Sequence, residues 1–535
     1  MGRVRESLLA SAATLACAGA AAAADMPASK AVPVAYVRVC TAFGAGFFTL
    51  PGTDTCLRVG GRARFEMGYQ ASYSRTTGGE AVGFRGIGRL NLDARTQTAY
   101  GTLRSFVRLE LASRSGIPTM HSGTQNRIAN AFPALGVDTF GRVQQYAVVD
   151  KAFVQFAGFT FGRASSFYDF YAHDFEIIAA TMSSDVASTN LAAYTATLGG
   201  GFSATLSMED PIFRRTPVYA TQNPAAFPST PALAPVFLGY TAAGAPSGVG
   251  FIDTAQRSRM PNGVAALRYD GAWGSAQLSA AVNEVNVGGF QLGTFTGTHL
   301  GAALSGANLR PIGRPASTYG WAVQGGVKIN LPVLATGDSL YLQAAYGEGA
   351  GMYTGISSYM GSYAGNPSSV QGSPFSQFLN DAVINPVTGR LELSTSVTVV
   401  ASLLHYWQPT LRSALFGSYG AVSFAPGSRL AQGSHFGVTG TGPGLPGTRY
   451  YALSQILRDN YRFVVVGSLI WSPVKDIDLG VEAIYTRIGV QSGAVLDLNR
   501  FPGQSAAYVN APANPVATTR AFDVIQVRAR VQRDF

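Results

Sequence analysis

Charge is scarce in this chain. Asp, Glu, Lys and Arg together make up 13% of its 535 residues, about half of the roughly 25% that is usual for soluble proteins. The body of the chain also lacks any run of 18 or more apolar residues that could cross a membrane as a helix. The composition therefore excludes an ordinary soluble protein, which needs a charged surface, and a helical membrane protein.

Lysine is scarcer still, and this absence limits what the net charge of +10 can mean. Of the 39 basic residues only Lys30, Lys151, Lys328 and Lys475 are lysine, and the other 35 are arginine. The arginines are scattered along the chain and do not form a basic tail. This distribution is typical of side chains that line one surface of a β-sheet, and it excludes a nucleic-acid-binding arm.

The chain has only three cysteines, and one of them lies in the N-terminal segment that is predicted to be cleaved. Residues 1–24 carry Arg3 and Arg5, then an apolar Leu/Ala segment, and end in three alanines before Asp25, which predicts a signal peptide cleaved after Ala24. Cleavage removes Cys17. In the oxidising periplasm, Cys40 and Cys56 are expected to form a disulfide rather than a metal or redox site.

Signals of catalysis are missing. No lysine follows a glycine, so a P-loop is absent, and no Gly-x-Ser-x-Gly sequence provides a nucleophile elbow. The five histidines lack the close spacing of a metal site, and His173 beside Asp174 has no organised serine partner. We expect no enzyme activity, no metal and no cofactor.

What the chain does have is period-two alternation. In the segment that follows Cys56, Arg62, Arg64 and Glu66 alternate with Ala63, Phe65 and Met67. We place sixteen strands at 57–73, 82–97, 102–114, 146–157, 159–165, 191–199, 202–210, 261–270, 274–286, 318–331, 339–349, 391–407, 411–424, 460–472, 478–490 and 518–535.

The links between these strands alternate in length. Even-numbered strands end in tight turns such as 98–101 and 407–410, whereas most odd-numbered strands end in long Gly/Pro/Ser/Thr segments such as 211–260, 287–317, 350–390 and 425–459. This sorting is typical of outer-membrane barrels, which have short periplasmic turns and long extracellular loops. A membrane sheet must also close, because lipid offers no partner to an open edge.

The predicted fold is therefore all-β, a 16-stranded antiparallel transmembrane β-barrel. Residues 25–56 form an N-terminal periplasmic segment with the disulfide hairpin, and residues 57–535 form the barrel domain. A barrel of sixteen strands is too wide for side chains to fill, so its centre is expected to be an aqueous channel. Its outer surface is expected to contact outer-membrane lipid.

Several stretches resemble the alphaproteobacterial porin family: "YVRVCTAFGAGFFTLPGTDTCLRVGG", "LDARTQTAYGTLRSFVRLEL", "KAFVQFAGFTFGRASSFYDF" and the terminal Phe535. The resemblance implies a homotrimeric general-diffusion pore for small hydrophilic solutes and ions. It implies that the third loop folds into the barrel and narrows it. Phe535, which ends an alternating strand, resembles the signature that the barrel-assembly machinery recognises.

Two opposed groups of residues are candidates for setting the selectivity of this pore. Because the last strand pairs with the first in a closed barrel, four consecutive strands would present one basic, pore-lining sector: Arg62, Arg64, Arg89, Arg95, Arg104, Arg108, Arg528 and Arg530. An acidic constriction loop would face it with Asp169, Asp174, Glu176 and Asp185. Alternatively, single arginines pair with Glu66, Asp93 or Glu110 only to hold the wall, and the loop carboxylates are merely solvated.

A passive porin is thus the predicted function, and other classes fit less well. A substrate-selective outer-membrane channel shares the barrel and remains open, whereas an outer-membrane hydrolase needs an inward-facing triad that is not visible. An energised transporter brings a plug domain and around 22 strands, and a surface adhesin would contain internal repeats.

Overall fold

The computed structural model describes residues 38–70, 81–116, 144–177, 180–184, 188–216, 218–221, 233–240, 246–257, 259–288, 290–291, 317–356, 374, 376–500 and 504–535. The predicted signal peptide, residues 1–24, and the constriction-loop candidate Asp185 lie outside the described residues.

Sixteen long strands form one antiparallel barrel, as predicted. They are β1 Cys56–Gln70, β2 Val82–Thr98, β3 Gly101–Gly116, β4 Gln144–Phe156, β5 Phe159–Ala164, β6 Thr189–Gly199, β7 Phe202–Glu209, β8 Asn262–Gly271, β9 Gly274–Val285, β10 Thr318–Asn330, β11 Ser339–Glu348, β12 Thr395–Gln408, β13 Leu411–Ser423, β14 Asn460–Trp471, β15 Ile477–Val490 and β16 Ala521–Asp534.

The barrel closes between its first and last strands. β16 pairs antiparallel with β1 from Arg62 opposite Asp534 to Gln70 opposite Gln526. Beyond this ladder, the Gly61 N–H donates to the Phe535 carbonyl at 2.9 Å and the Phe535 N–H donates to the Gly61 carbonyl at 3.1 Å. Every barrel strand therefore has two hydrogen-bonded neighbours, which is what a sheet in lipid requires.

Most of the barrel wall has polar side chains inside and apolar side chains outside. On β1, Glu66 and Gln70 are buried in the interior, whereas Phe65, Met67 and Tyr69 are 43–50% exposed on the outer surface. Outward-facing apolar residues of this kind form the surface that contacts lipid.

One part of the wall departs from this pattern. The inner faces of β13, β14 and β15 carry Phe416, Val464, Val466 and Ile484, which pack in one apolar cluster with residues of the long links. These inner positions are apolar, whereas Glu482 and Thr486 of β15 are polar residues on the same inner face. Here the wall serves as a core for the loops that fold against it.

The long links contain regular structure that the sequence patterns did not predict. Leu233–Tyr240, Pro246–Asp253 and Phe290–Gln291 form a three-stranded sheet within the links after β7 and β9. Two-stranded sheets pair Ala382–Ile384 with Leu391–Leu393 and Val495–Leu496 with Thr518–Thr519. The predicted strands 391–407 and 518–535 therefore each divide into a short loop strand and a barrel strand.

Among the described residues, the helices are short and lie outside the barrel strands. They are the 3₁₀ turns Thr41–Phe43 and Pro211–Arg214 and the α-helices Gly351–Thr354, Ser428–Ser434, Phe436–Thr439, Arg449–Leu453 and Ala506–Asn510. Within the described ranges, no helix has the length and apolar character to cross a membrane.

Gly274 provides a test of the strand geometry. It begins β9 at φ 145°, and a Cβ there would collide with the Lys328 carbonyl of β10. We expect Gly274→Ala to destabilise the barrel by about 1–3 kcal/mol through backbone strain, seen as a lower temperature of conversion from the fast-migrating folded form on gels. Gly325→Ala is the matched control, since nothing lies within 4 Å of its Cβ position. Equal conversion temperatures for the two variants would contradict the assignment.

Candidate functional site

The strands β16, β1, β2 and β3 are consecutive in the barrel and share a strongly basic inner face. The inward positions hold eleven arginines, namely Arg58, Arg62, Arg64, Arg85, Arg89, Arg95, Arg104, Arg108, Arg114, Arg528 and Arg530. They hold four carboxylates, namely Glu66, Asp93, Glu110 and Asp534. We call this surface the arginine sector; it contains all eight of the predicted basic residues.

Ion pairs between neighbouring strands organise the sector. Arg62 lies 2.5 Å from Asp534 across the closing seam, and Arg89 lies 2.7 Å from Glu110. Asp93 is shared, because Arg95 contacts it at 2.8 Å and Arg104 at 2.9 Å. The wall-holding role considered for single arginines therefore has a geometric basis.

The remaining predicted arginines have similar partners. Arg64 lies 3.2 Å from Glu66, which also pairs with Arg85 at 2.7 Å, and Arg108 lies 3.4 Å from Asp150 of β4. Arg528 donates to Gln526 at 2.7 Å.

The two charge signs are not equally exposed. The side chains of Arg89, Arg95 and Arg104 are 20–28% exposed, whereas those of Asp93 and Glu110 are each 2% exposed. The carboxylates thus lie beneath the guanidinium groups, and an ion in the interior meets positive charge first. Asp534, at 44% exposure, is the exception.

The described residues of the link between β5 and β6, namely 165–177, 180–184 and 188, fold into the barrel, as the resemblance implied. We call this link the third loop. Gln277 of β9 and Gln324 of β10 donate to the Tyr168 carbonyl at 3.3 and 3.0 Å, and the Tyr171 N–H donates to Gln343 of β11 at 3.0 Å. The loop therefore runs along the inner wall opposite its own strands.

The far end of the third loop reaches the edge of the arginine sector. The Ile177 N–H donates to Glu482 of β15 at 2.9 Å, and Arg530 of β16 donates to the Ile177 carbonyl at 3.2 Å. On the returning segment, the Met182 N–H donates to Ser418 of β13 at 3.0 Å. The loop thus spans the interior from β9 to β16.

The acidic residues of this loop have partners other than the arginine sector. Glu176 accepts from the Ala180 N–H at 2.6 Å and from Thr181, so its carboxylate stabilises the loop itself. Asp174, which is exposed, accepts from the Tyr341 hydroxyl at 2.8 Å. At the Ile177 carbonyl, the described part of the loop accepts a hydrogen bond from Arg530, one of the predicted arginines.

Asp169 belongs to a buried cluster that sequence reasoning missed. Arg214, from the 3₁₀ turn after β7, is fully buried and contacts Asp169 at 2.6 Å, and it donates to Ser184 at 2.6 Å. Its guanidinium lies 4.6 Å from the ring centre of Tyr353 and 5.7 Å from that of Tyr168. Burial has the largest single effect and would lower the pKa of Arg214, but Asp169, Tyr353 and Glu209 together outweigh it, and the pKa is raised. No local pattern marks this pair, because its members are 45 residues apart.

Cys40 and Cys56 form the expected disulfide, with their Cα atoms 5.9 Å apart. The hairpin it closes lies at the tight-turn end of the closing seam, where Phe48–Thr49 pairs with Leu57 and Cys56 of β1. The ring of Phe535 lies against Gly61 at the same seam. No group of three or more His, Cys, Asp or Glu side chains suited to a metal ion occurs in the part of the chain that the structure describes.

The buried pair Arg214–Asp169 should hold the third loop in place. We expect Arg214→Gln to leave the Asp169 carboxylate buried without its cation, which in comparable buried pairs destabilises by about 3–5 kcal/mol. The result should be faster hydrogen exchange in residues 165–184 and more frequent closing events in single-channel recordings. Arg214→Lys should restore part of the protection. Unchanged exchange in Arg214→Gln would contradict the role of the pair.

Comparison with known proteins agrees with this architecture. Residues 25–499 match a family described as a porin subfamily. Porin Omp2b of Brucella canis is 33% identical over 215 residues, 38% of this chain and 54% of the relative. Porin Omp2b of Brucella suis biovar 1 is 30% identical over 292 residues, 53% of this chain and 66% of the relative. The matches thus span only about half to two thirds of these curated relatives.

Among solved structures, the outer membrane channel DcaP of Acinetobacter baumannii covers 90% of this chain and 97% of its own, with a TM-score of 0.48 and 15% identity. At that similarity, the fold of this protein rests on its own strand pairing. The family match places the protein in the outer membrane of Gram-negative bacteria. Because that match covers most of the sequence, the chain belongs to the porin subfamily.

Proposed function

We propose that this protein is a passive, water-filled diffusion channel of the outer membrane for small hydrophilic solutes and ions, and that its arginine sector gives it a preference for anions. The single observation that carries the anion preference is the excess of eleven inward arginines over four carboxylates on four adjacent strands. Membership of the porin subfamily supports the channel itself.

The route for solutes follows from the position of the third loop. The loop covers the wall from β9 to β13 and contacts β15 and β16 at Ile177, so the open path lies along the arginine sector. A solute on this path exchanges part of its hydration shell for guanidinium N–H groups, which favours small polar anions over apolar molecules.

Neighbouring carboxylates moderate this preference without cancelling it. Each of Asp93, Glu110 and Glu66 is at most 5% exposed and lies beneath arginines. These pairs fix the direction of the guanidinium groups, so the sector remains ordered in spite of its like charges. The resulting field weakens as ionic strength rises, because the Debye length falls from about 10 Å at 0.1 M salt to 3 Å at 1 M.

Several further assignments accompany this proposal. The channel is a homotrimer, as the porin resemblance implies, and the signal peptide 1–24 directs the chain to the periplasm. Phe535, at the closing seam, is the residue that the barrel-assembly machinery recognises. A trimer that survives in unboiled samples and dissociates on heating would support the oligomeric assignment.

A substrate-selective channel is the second candidate. The long links fold into an apolar core of Val218, Val236, Ile252 and Ile384 against Val285 at the end of β9, and an ordered extracellular layer of this kind favours selection of solutes before entry. Saturating solute flux would identify a selective channel, whereas flux proportional to concentration would identify general diffusion.

The charge of the sector can be tested by removing two of its members. We expect Arg62→Ser and Arg104→Ser each to shift the reversal potential in a KCl gradient towards cation permeability, because each removes a partly exposed guanidinium from the path. The measurement is made on purified, unboiled protein in planar bilayers.

The matched control is Arg487→Ser. Arg487 faces outward on β15, opposite to the inward Glu482, and it pairs with Asp523 at 3.0 Å. Reversal potentials that stay at the wild-type value in Arg62→Ser and Arg104→Ser would refute the lining assignment.

A further inference from the structure

The disulfide hairpin, residues 38–56, contacts the inner face of the barrel. Phe47 is 2% exposed and forms a small apolar cluster with the two cysteines. Its ring centre lies 5.2 Å from the Arg58 guanidinium carbon and 4.9 Å from that of Arg95. Both arginines occupy inward positions, since the uninterrupted β1–β2 register pairs Cys56 with Arg95 and Arg58 with Asp93.

These contacts lie at the tight-turn mouth, which is the periplasmic mouth in the outer-membrane barrel plan. Phe48–Thr49 pairs with the start of β1 at Leu57 and Cys56, whereas β16 pairs with β1 only from Arg62 onward. The hairpin therefore extends the wall at the point where the last strand has ended, and Phe47 projects from this extension onto the inner arginines.

The charge around Phe47 is unbalanced. Arg95 and Arg104 share the single carboxylate of Asp93. Arg58 is exposed, and no carboxylate lies within ion-pair distance of it among the described residues. Asp54 of the same hairpin likewise forms no ion pair in the described part of the chain. Three guanidinium groups thus meet one carboxylate at this mouth.

Aromatic contacts suit these arginines to a ligand. A guanidinium over a ring face, within about 6 Å of its centre, is attracted to the ring while its N–H donors lie at its edges. Arg95 also lies 5.9 Å from Phe43, and Arg104 lies 5.2 Å from Phe106. The Nε and Nη2 donors of Arg95 and Arg104 already bind Asp93, so the exposed Arg58 is the arginine whose planar fork can match two oxygens of a carboxylate or phosphate.

We propose that the hairpin and Arg58, Arg95 and Arg104 form an oxyanion-binding site at the periplasmic mouth, in which Arg58 contacts the ligand and Phe47 positions Arg58 and Arg95. The ligand class is small carboxylates or phosphates. The inference deepens the proposed anion preference, on which it rests, by adding a discrete site to a general field. The disulfide keeps the hairpin against the wall and is therefore needed for full affinity.

The test is binding of inorganic phosphate, and separately of acetate, to the full-length folded protein in detergent, measured by calorimetry at low ionic strength. We expect saturable binding that Arg58→Gln weakens about tenfold, the size of a lost charge-assisted contact, with partial rescue by Arg58→Lys. Phe47→Leu and Cys40→Ser/Cys56→Ser should weaken binding less, because they release Arg58 without removing it. The two anions distinguish phosphate from carboxylate as the preferred ligand.

Two controls separate a site from surface charge. Arg38→Gln removes the same charge from an exposed position of the same hairpin, and Phe48→Leu alters the neighbouring ring. Equal weakening by Arg38→Gln and Arg58→Gln, or no saturable binding of either anion, would overturn the proposal. Gel mobility of unboiled samples confirms that each variant is folded.

Conductance distinguishes this inference from the proposed function. If the channel conducts with anion preference but phosphate does not bind, the site is refuted and the channel stands. If phosphate binds with the expected response to Arg58→Gln and no ion current is found, the channel proposal fails and the site stands. Bound phosphate should also lower the ion current through the channel. A reductant that cannot cross the membrane should weaken this block when it is added on the tight-turn side and have no effect from the other side.

Discussion

The rest of this structure depends on one constraint, that every backbone N–H and C=O group of the wall must find a partner in a medium that offers none. Closure of the barrel between β1 and β16 satisfies this constraint, and it has three consequences for the fold. An even number of strands returns the chain to the rim where it began, tight turns gather at that rim, and side chains alternate between lipid and interior. The hairpin completes the same ladder where β16 has ended.

Closure also decides how charge is distributed. Bringing the last strand beside the first places Arg528 and Arg530 next to Glu66 and its neighbours, so residues from opposite ends of the chain form one sector. Arginines lie directly opposite each other at Arg62–Arg89 and Arg95–Arg104, and a carboxylate one position along can serve two guanidinium groups, as Asp93 does for Arg95 and Arg104. The surface that results is ordered by ion pairs and yet positive towards the interior.

The sequence predicted what depends on period-two alternation and missed what depends on distant contacts. Alternation placed sixteen strands and assigned Arg62, Arg89 and Arg104 to the inner face. It did not show which inner faces are apolar: in "VVVGSLIW" of β14 the residues of both faces are mostly apolar, so the pattern does not identify the interior. It also gave no sign of the sheet at 233–253, whose short strands lie among Gly and Pro residues, or of the pairing of Asp169 with Arg214.

The apolar inner wall explains why the third loop lies where it does. A loop inside an aqueous barrel needs a surface to bury against, and β13 to β15 provide it through Phe416, Val464 and Ile484, with Met182 of the loop in the same cluster. The partly exposed arginines of the sector, such as Arg89, Arg95 and Arg104, offer no such apolar surface. The loop thus packs on the apolar inner positions of β13 to β15 and on the glutamines of β9 to β11, and at the arginine sector it accepts a hydrogen bond from Arg530. Arg214 then links the loop to the extracellular segments, so the width of the path and the packing of those segments depend on each other.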